Sequence, residues 1–114
     1  MNVLFICSVN QYRSATAEKF FSQKYSHHNF RSAGTNHSLC EKVGTTKLRE
    51  EAMQWADLIF VMEEHHKDVI SAHTEKKYDN KIRILDIEDV YHYEQKELID
   101  LLTKKVDRFL FNVK

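Results

Sequence analysis

The fold is decided by one stretch near the amino terminus, Val3-Leu4-Phe5-Ile6-Cys7-Ser8-Val9-Asn10-Gln11-Tyr12-Arg13-Ser14. Its apolar first part predicts a buried strand over residues 2–7, and Ser14 is of a type that caps helix N-termini. A thiol, the backbone N–H groups of a loop, a helix N-terminus and the Arg13 guanidinium are therefore expected at one point. Each of these groups favours negative charge there. The stretch thus predicts an anion-binding loop between a strand and a helix.

The same residues suit chemistry on a phosphate group, with Cys7 as the nucleophile. A thiol attacks phosphorus well only as the thiolate, and a free cysteine titrates near ~8.5, so positive surroundings matter. The planar fork of Arg13 can hold two phosphoryl oxygens beside the backbone of residues 8–13, and Ser14 can donate a hydrogen bond to the sulfur. The alternative is a structural cysteine buried at the end of a strand, a common fate for cysteine. Because strand, loop and helix occur together, we favour the catalytic interpretation.

Composition bounds the class of protein. The chain has 114 residues, which fits one domain over residues 1–114 with a modest core. Basic and acidic residues number 17 each, so the basic excess that would indicate a nucleic-acid or acidic-membrane partner is lacking. Cys7 and Cys40 are the only cysteines, which implies no disulfide framework and a reducing, cytoplasmic location. The longest apolar run near the N-terminus is too short for a signal peptide core or a membrane span.

Tight turns in this chain must use residues other than glycine and proline, since it has two glycines and no proline. Asparagine tolerates positive φ better than other non-glycine residues, and β-branched valine tolerates it poorly. Within the loop, Asn10 rather than Val9 is therefore expected in the left-handed conformation.

Apolar patterning predicts alternating strands and helices. Further strands are expected over residues 29–32, 57–62 and 81–87, with a turn at 33–35. Helices are expected from Ser14 onward, over 47–55, over 63–71, and in a C-terminal segment with an apolar face of Leu98, Leu101, Leu102, Val106, Phe109, Leu110 and Val113. We therefore expect an α/β fold, a three-layer sandwich with a four-stranded parallel sheet. Ligands of such sheets bind beyond the carboxyl ends of the strands.

The loop resembles that of the low-molecular-weight protein tyrosine phosphatases, whose pattern is Cys-x-Gly-Asn-x-Cys-Arg-Ser. Cys7, Asn10, Arg13 and Ser14 match it, and the similarity continues through residues 17–18, 31–35 and 56–62. The chain is most similar to a compact bacterial branch of such phosphatases. The resemblance implies the phosphotyrosine phosphatase I-like fold and a cysteinyl-phosphate intermediate, with no metal or organic cofactor. The implied substrate is a phosphotyrosine protein or a small phosphomonoester, and we expect a monomer or weak dimer.

Two loop residues depart from the family pattern. Val9 and Tyr12 stand where the larger family has glycine and a second cysteine. The loop therefore lacks the neighbouring thiol with which the family can form a protective disulfide. We expect Cys40 to be a core or surface thiol rather than a redox partner.

A general acid must protonate the leaving group, and the family takes it from an Asp-Pro-Tyr segment before the last helix. Here Asp89 falls at the acid position and Tyr91 at the aromatic position, with Val90 in place of proline. Asp86 is the second candidate for the acid. A solvated acidic turn without a catalytic role is the other interpretation of this segment.

Side chains around the loop would form the substrate slot. One candidate wall is Tyr12, Tyr91 and Tyr93, and another is His37-Ser38-Leu39. The predicted catalytic residues are Cys7, Arg13 and Asp89. The predicted substrate-binding residues are Ser8, Val9, Asn10, Gln11, Tyr12, Ser14 and Tyr91.

Two other functional classes use similar loops. An arsenate reductase would need further cysteines to relay oxidation, and only Cys40 is present. A non-catalytic phosphate- or phosphopeptide-binding module would account for Val9 and for two missing prolines, since Val90 replaces the proline of the larger family and Glu88 that of the compact branch. No metal site is expected, because the adjacent histidines at 27–28 and 65–66 would point about 100° apart on a helix. The charged stretch 63–77 is expected to be a solvated helix and loop.

Overall fold

Four parallel strands form the centre of the fold. The computed structural model describes residues 1–110, and its strands are β1 (Asn2–Cys7), β2 (Asn29–Gly34), β3 (Leu58–Val61) and β4 (Ile82–Ile84). They lie in the order β2-β1-β3-β4, and every neighbouring pair is parallel. The predicted α/β fold with a four-stranded parallel sheet is thus confirmed.

In the described part of the chain, five α-helices connect and follow the strands. They are α1 (Arg13–Lys24), α2 (His37–Val43), α3 (Glu50–Trp55), α4 (Glu64–Thr74) and α5 (Lys96–Leu110). A 3-10 turn, Asp79–Lys81, precedes β4. Within residues 1–110, no helix combines the length and apolar character needed to cross a membrane. The predicted apolar face of α5 is present, and Val113, its last predicted member, lies outside the described residues.

The sheet has an apolar core on each face, because successive side chains of a strand point to opposite sides. Phe5 of β1 faces α1 and α5, and its ring centroid lies 5.5 Å from those of both Phe21 and Phe60. Leu4 and Ile6 face the other way and pack with α3 and α4. Coverage on both faces explains why β1 and β3 are continuous apolar runs.

The helix after the loop begins one residue earlier than predicted, and Ser14 is not its cap. Tyr12 occupies the N-cap position and makes no side-chain cap bond. Ser14 lies fully buried in the first turn, where its hydroxyl contacts the sulfur of Cys7. The predicted contact between Ser14 and the sulfur is thus present, whereas the prediction that Ser14 caps the helix is wrong.

Other boundaries also differ from the prediction. β2 continues through residues 33–34, which pair with β1 instead of turning. β4 ends at Ile84, and α3 begins only at Glu50. The prediction missed α2, a short helix with one fully buried residue, Cys40, and a weak apolar pattern. Its N-cap is Asn36, whose side chain accepts a hydrogen bond from the Leu39 N–H.

The carboxyl ends of the strands bring distant segments together, as expected for a parallel sheet. The loop of residues 8–12 follows β1, and Glu63 follows β3, the neighbouring strand. The chain after β4 stays beside β3, since the Ile87 N–H donates to the Met62 carbonyl at 2.8 Å. All three segments contribute to the site described next.

Candidate active site

Hydrogen-bond donors surround the sulfur of Cys7, which is only 2% exposed at the end of β1. The backbone N–H of Asn10 donates to Sγ at 3.3 Å, and Ser14 Oγ lies 2.9 Å from Sγ. Ser14 Oγ also accepts from Asn10 Nδ2 at 2.8 Å, so its own proton is available to the sulfur. A thiolate can only accept hydrogen bonds, and both contacts are ones that it could accept.

Asn10 takes the left-handed conformation predicted for it, with φ of 60°. This turns its N–H toward the sulfur, while its side-chain Oδ1 accepts the backbone N–H of Thr46 at 3.2 Å. The side chain is thus held at both its ends, by Thr46 and by Ser14. Asn10 sets the loop shape that a glycine would otherwise permit.

The loop rests on the chain that leaves β2. The Thr35 N–H donates to the Cys7 carbonyl at 3.0 Å, and the Asn36 N–H donates to the Ser8 carbonyl at 2.8 Å. Gly34 allows this approach, because a Cβ there would lie 2.7 Å from the Ser8 carbonyl oxygen. Close backbone contact therefore requires glycine at this position.

Arg13 is 2% exposed, and segments after β3 and β4 fix its guanidinium. Nη1 donates to Glu63 Oε1 at 2.5 Å and to the Ile87 carbonyl at 2.8 Å. Nε lies 3.6 Å from Asp89 Oδ1. The guanidinium is held in place by these partners, and its Nε side faces Asp89.

Glu63 and His66 belong to the site, although the sequence assigned them to a solvated stretch. Glu63 accepts from Arg13, and its backbone N–H donates to His66 Nδ1 at 3.0 Å. Since Nδ1 accepts, the neutral ring carries its proton on Nε2, which donates to Ser8 Oγ at 2.9 Å. The start of α4 therefore contacts the loop at Ser8 and at Arg13. Glu63 and His66 follow β3, the strand next to β1, and this position at the edge of the sheet could have indicated both residues from the sequence.

The charges at the start of α4 follow from this packing. Burial tends to raise the pKa of Glu63, but the hydrogen bond and charge of Arg13, with a contribution from His65, lower it overall. Burial, together with the charges of His65 and Arg13, lowers the pKa of His66 to about 4. Near neutral pH the site therefore contains an ionised Glu63 against the Arg13 cation, and a neutral His66.

A small cavity of about 80 Å³ opens at the sulfur. Its lining residues are Cys7, Val9, Gln11, Tyr12, Arg13 and Asp89. The other predicted binding residues of the loop, Ser8, Asn10 and Ser14, support it through the hydrogen bonds described above. The structure thus brings the three predicted catalytic residues together around one cavity.

Asp89, rather than Asp86, lies at this cavity. Asp89 is 61% exposed and 3.6 Å from Arg13. Asp86 has a left-handed backbone, with φ of 54°, and borders a separate hollow beside Lys104 and Lys105. The second acid candidate therefore lies apart from the sulfur.

The predicted substrate walls are only partly in place. Tyr12 stands at the cavity and meets His92 edge-on, with ring centroids 6.1 Å apart. Tyr91 is half-buried and packs against the core between the sheet and α5, so it supports the segment rather than lining the cavity. Tyr93 lies by an open groove along α1, and His37 lines a larger hollow of about 240 Å³ between α2 and α4.

One group of metal-ligand type occurs within residues 1–110. Donor atoms of Glu63, His65 and His66 lie within 4.8 Å of one another. Both ring nitrogens of His66 already have partners, in Glu63 and Ser8. Hydrogen bonding to the loop therefore accounts for this group without an ion.

Comparison with known proteins identifies relatives by structure. No family model and no curated protein matches the sequence. A YwlE mutant from Bacillus subtilis is 26% identical, with 98% of this chain and 99% of that chain covered and a TM-score of 0.71. A YwlE arginine phosphatase mutant with a phosphorylated active-site serine is 25% identical over 100% of this chain and 98% of that chain, with a TM-score of 0.73.

A third match is the solved structure of a protein tyrosine phosphatase. The low-molecular-weight protein tyrosine phosphatase from T. tengcongensis is 25% identical, with 99% of both chains covered and a TM-score of 0.79. All three matches extend over nearly the whole of this chain. The chain is therefore a structural relative of the low-molecular-weight protein tyrosine phosphatases along nearly its entire length.

Proposed function

We propose that the chain hydrolyses phosphotyrosine in proteins, with Cys7 as the nucleophile and without a metal ion. The observation that carries this proposal is the environment of one sulfur, with the Asn10 N–H at 3.3 Å and Ser14 Oγ at 2.9 Å. Arg13 and Asp89 line the same cavity as Cys7. Donors and a guanidinium that converge on a thiol suit attack on a phosphate dianion. The likeness to solved low-molecular-weight phosphatases supports phosphatase chemistry.

In the first step, Cys7 Sγ forms a bond to phosphorus while the bond from phosphorus to the leaving oxygen breaks. Asp89 gives its proton to that oxygen, so tyrosine leaves as a neutral phenol and the phosphoryl group stays on sulfur. Arg13 Nε and Nη2 bind phosphoryl oxygens, while Nη1 keeps its anchors on Glu63 and the Ile87 carbonyl. The anchoring means that little reorganisation accompanies the development of charge in the transition state.

In the second step, water replaces sulfur on phosphorus. Asp89, now a carboxylate, removes a proton from the attacking water as the oxygen–phosphorus bond forms and the sulfur–phosphorus bond breaks. Cys7 leaves as a thiolate and accepts hydrogen bonds from Ser14 and the Asn10 N–H. Inorganic phosphate is then released, and the thiol site is regenerated.

Tyrosine is the favoured substrate because an aromatic residue stands at the cavity. The ring of Tyr12 is 37% exposed there and is braced edge-on by His92, so it can flank a phenol ring. Phosphoarginine is a second candidate, favoured by the 25% identity to a YwlE arginine phosphatase.

A reducing cytoplasm is part of the proposal, because the mechanism needs Cys7 as a free thiol. Both Cys7 and Cys40 are free in the structure. We expect the enzyme to act as a monomer or weak dimer, on phosphoproteins or small phosphomonoesters.

The mechanism is tested with matched peptides that carry phosphotyrosine or phosphoarginine, hydrolysed by wild type, Asp89→Asn and Asp86→Asn. Loss of the general acid should lower kcat for phosphotyrosine roughly 10²- to 10⁴-fold in Asp89→Asn. Asp86→Asn is the control and should stay close to wild type, since Asp86 lies in a separate hollow. An unimpaired Asp89→Asn beside a crippled Asp86→Asn would reverse the assignment of the acid. Faster wild-type turnover of phosphoarginine than of phosphotyrosine would overturn the proposed substrate.

A further inference from the structure

One peptide unit, between Val9 and Asn10, links the sulfur to the segment after α2. Its N–H donates to Cys7 Sγ at 3.3 Å, and its carbonyl oxygen accepts from Thr45 Oγ1 at 2.5 Å. Cys40 Sγ is a second donor to the same carbonyl, at 3.4 Å. The N–H and C=O of a trans peptide point in opposite directions. The unit therefore stands between the nucleophile on one side and two donors on the other.

Hydrogen bonds in such a series reinforce one another. A donor on the carbonyl draws electron density toward oxygen and leaves the N–H of the same peptide more positive. Cys7, Asn10 and Cys40 are buried, while Val9 and Thr45 are half-buried, so water screens the effect only in part. The Thr45 hydroxyl also fixes the orientation of the unit, because a flipped peptide would direct its carbonyl oxygen at the thiolate.

Thr45 is itself held in a fixed position. Its backbone N–H donates to the Cys40 carbonyl at 2.9 Å, directly after Gly44 ends α2 in the left-handed conformation. The next residue, Thr46, donates its N–H to Asn10 Oδ1 at 3.2 Å, and its carbonyl accepts from the Gly34 N–H at 2.9 Å. Hydrogen bonds to Cys40, Asn10 and Gly34 thus hold the segment of Thr45 and Thr46 in place. They fix the position of the Thr45 hydroxyl beside the loop.

We propose that Thr45 is a positioning residue for Cys7. Its hydroxyl orients and polarises the Val9–Asn10 peptide, whose N–H then stabilises the thiolate form of the nucleophile. The inference rests on the proposed role of Cys7, but it concerns the ionisation of the thiol and can be measured without turnover.

The test is the rate of Cys7 alkylation by iodoacetamide as a function of pH, followed by mass spectrometry of the Cys7 peptide in the folded protein. Thr45→Val removes the hydroxyl at nearly constant volume. The midpoint of the pH profile should rise by about 0.5 pH unit, which is about threefold slower alkylation below the midpoint. Thr45→Ser keeps the hydroxyl and should restore the wild-type midpoint. Thr103→Val removes a hydroxyl that donates to the Ile99 carbonyl within α5, and should leave the midpoint unchanged.

Two results would overturn the inference: an unmoved midpoint in folded Thr45→Val, or a serine variant that behaves like the valine one. Cys40→Ala provides a second measurement should Thr45→Val fail to fold. This variant removes the weaker donor and should raise the midpoint by a smaller amount. An unchanged or lowered midpoint in Cys40→Ala would therefore also contradict the inference. A shifted midpoint in a chain that hydrolyses no phosphoester would reject the proposed function alone. An active enzyme with an unmoved midpoint would reject only the role of Thr45.

Discussion

His66 should make the protein lose stability on mild acidification. Its side chain is fully buried, and burial, with the charges of His65 and Arg13, lowers its pKa from 6.5 to about 4. Protonation would also put a proton on Nδ1, the atom that accepts the Glu63 N–H at 3.0 Å. The folded protein therefore takes up this proton only near pH 4, whereas the unfolded chain takes it up near the ordinary value.

The sign of the effect follows from which state binds the proton first. Because the unfolded chain does so, the free energy of unfolding falls as the pH drops from 6.5 toward 4. The contribution of His66 is about 3 kcal/mol at full extent, and about 2 kcal/mol between pH 7.5 and 5.0. The pKa of Glu63 is lowered from 4.5, so its own contribution is lost below this window. His28, whose pKa burial also lowers, contributes equally to wild type and to a His66 variant.

The assay is urea unfolding at pH 7.5 and pH 5.0 for wild type, His66→Gln and His73→Gln. A glutamine amide can still donate to Ser8, but it does not titrate. His66→Gln should lose about 2 kcal/mol less than wild type between the two pH values. The exposed His73, on the same helix, is the control, and its variant should keep the wild-type difference, because His73 is not among the groups that shift the pKa of His66. A His66→Gln protein with the same pH dependence as wild type would refute the reasoning.

Further predictions concern residues that support the loop. Glu63→Gln removes the charge that faces buried Arg13 and should cost about 1–3 kcal/mol of stability, while Glu64→Gln, on the exposed side of α4, should cost almost nothing; equal costs in urea unfolding would contradict the pairing. Gly34→Ala should cost about 1–3 kcal/mol and lower kcat/KM, because the new Cβ meets the Ser8 carbonyl at 2.7 Å. At Gly44, which has φ of +80°, a new Cβ would meet open space, so Gly44→Ala should destabilise the protein by about 1 kcal/mol and leave kcat/KM unchanged. Impaired turnover in Gly44→Ala would contradict the claim that only Gly34 supports the loop.

The fold could be predicted because its determinants are local in the sequence. The apolar runs of β1 and β3 and the apolar stripe of α5 each specify an element and the faces it buries. The conformation of the loop could also be predicted. The loop has no glycine, so Asn10 is the residue in it that is suited to positive φ, and its φ is 60°. Cys7, Arg13 and Asp89 then meet because parallel strands end at one edge of the sheet.

What the sequence did not reveal depends on contacts between elements. That Ser14 does not also cap the helix, as its residue type suggested, follows from its burial in the first turn against Cys7. Glu63 and His66 lie in a charged, polar run, and their roles come from partners that are 50 and 58 residues away in the chain. The donor from Thr45 to the Val9 carbonyl spans 36 residues and requires α2, which the patterning missed.

The most direct test of the account is hydrolysis of para-nitrophenyl phosphate against pH, with wild type and Cys7→Ser in parallel and EDTA present. We predict wild-type turnover that survives EDTA, and a Cys7→Ser protein that still binds phosphate but does not turn over. Retained turnover in Cys7→Ser, activity lost to EDTA and restored by zinc, or no turnover by folded and fully reduced wild type would contradict the thiolate mechanism.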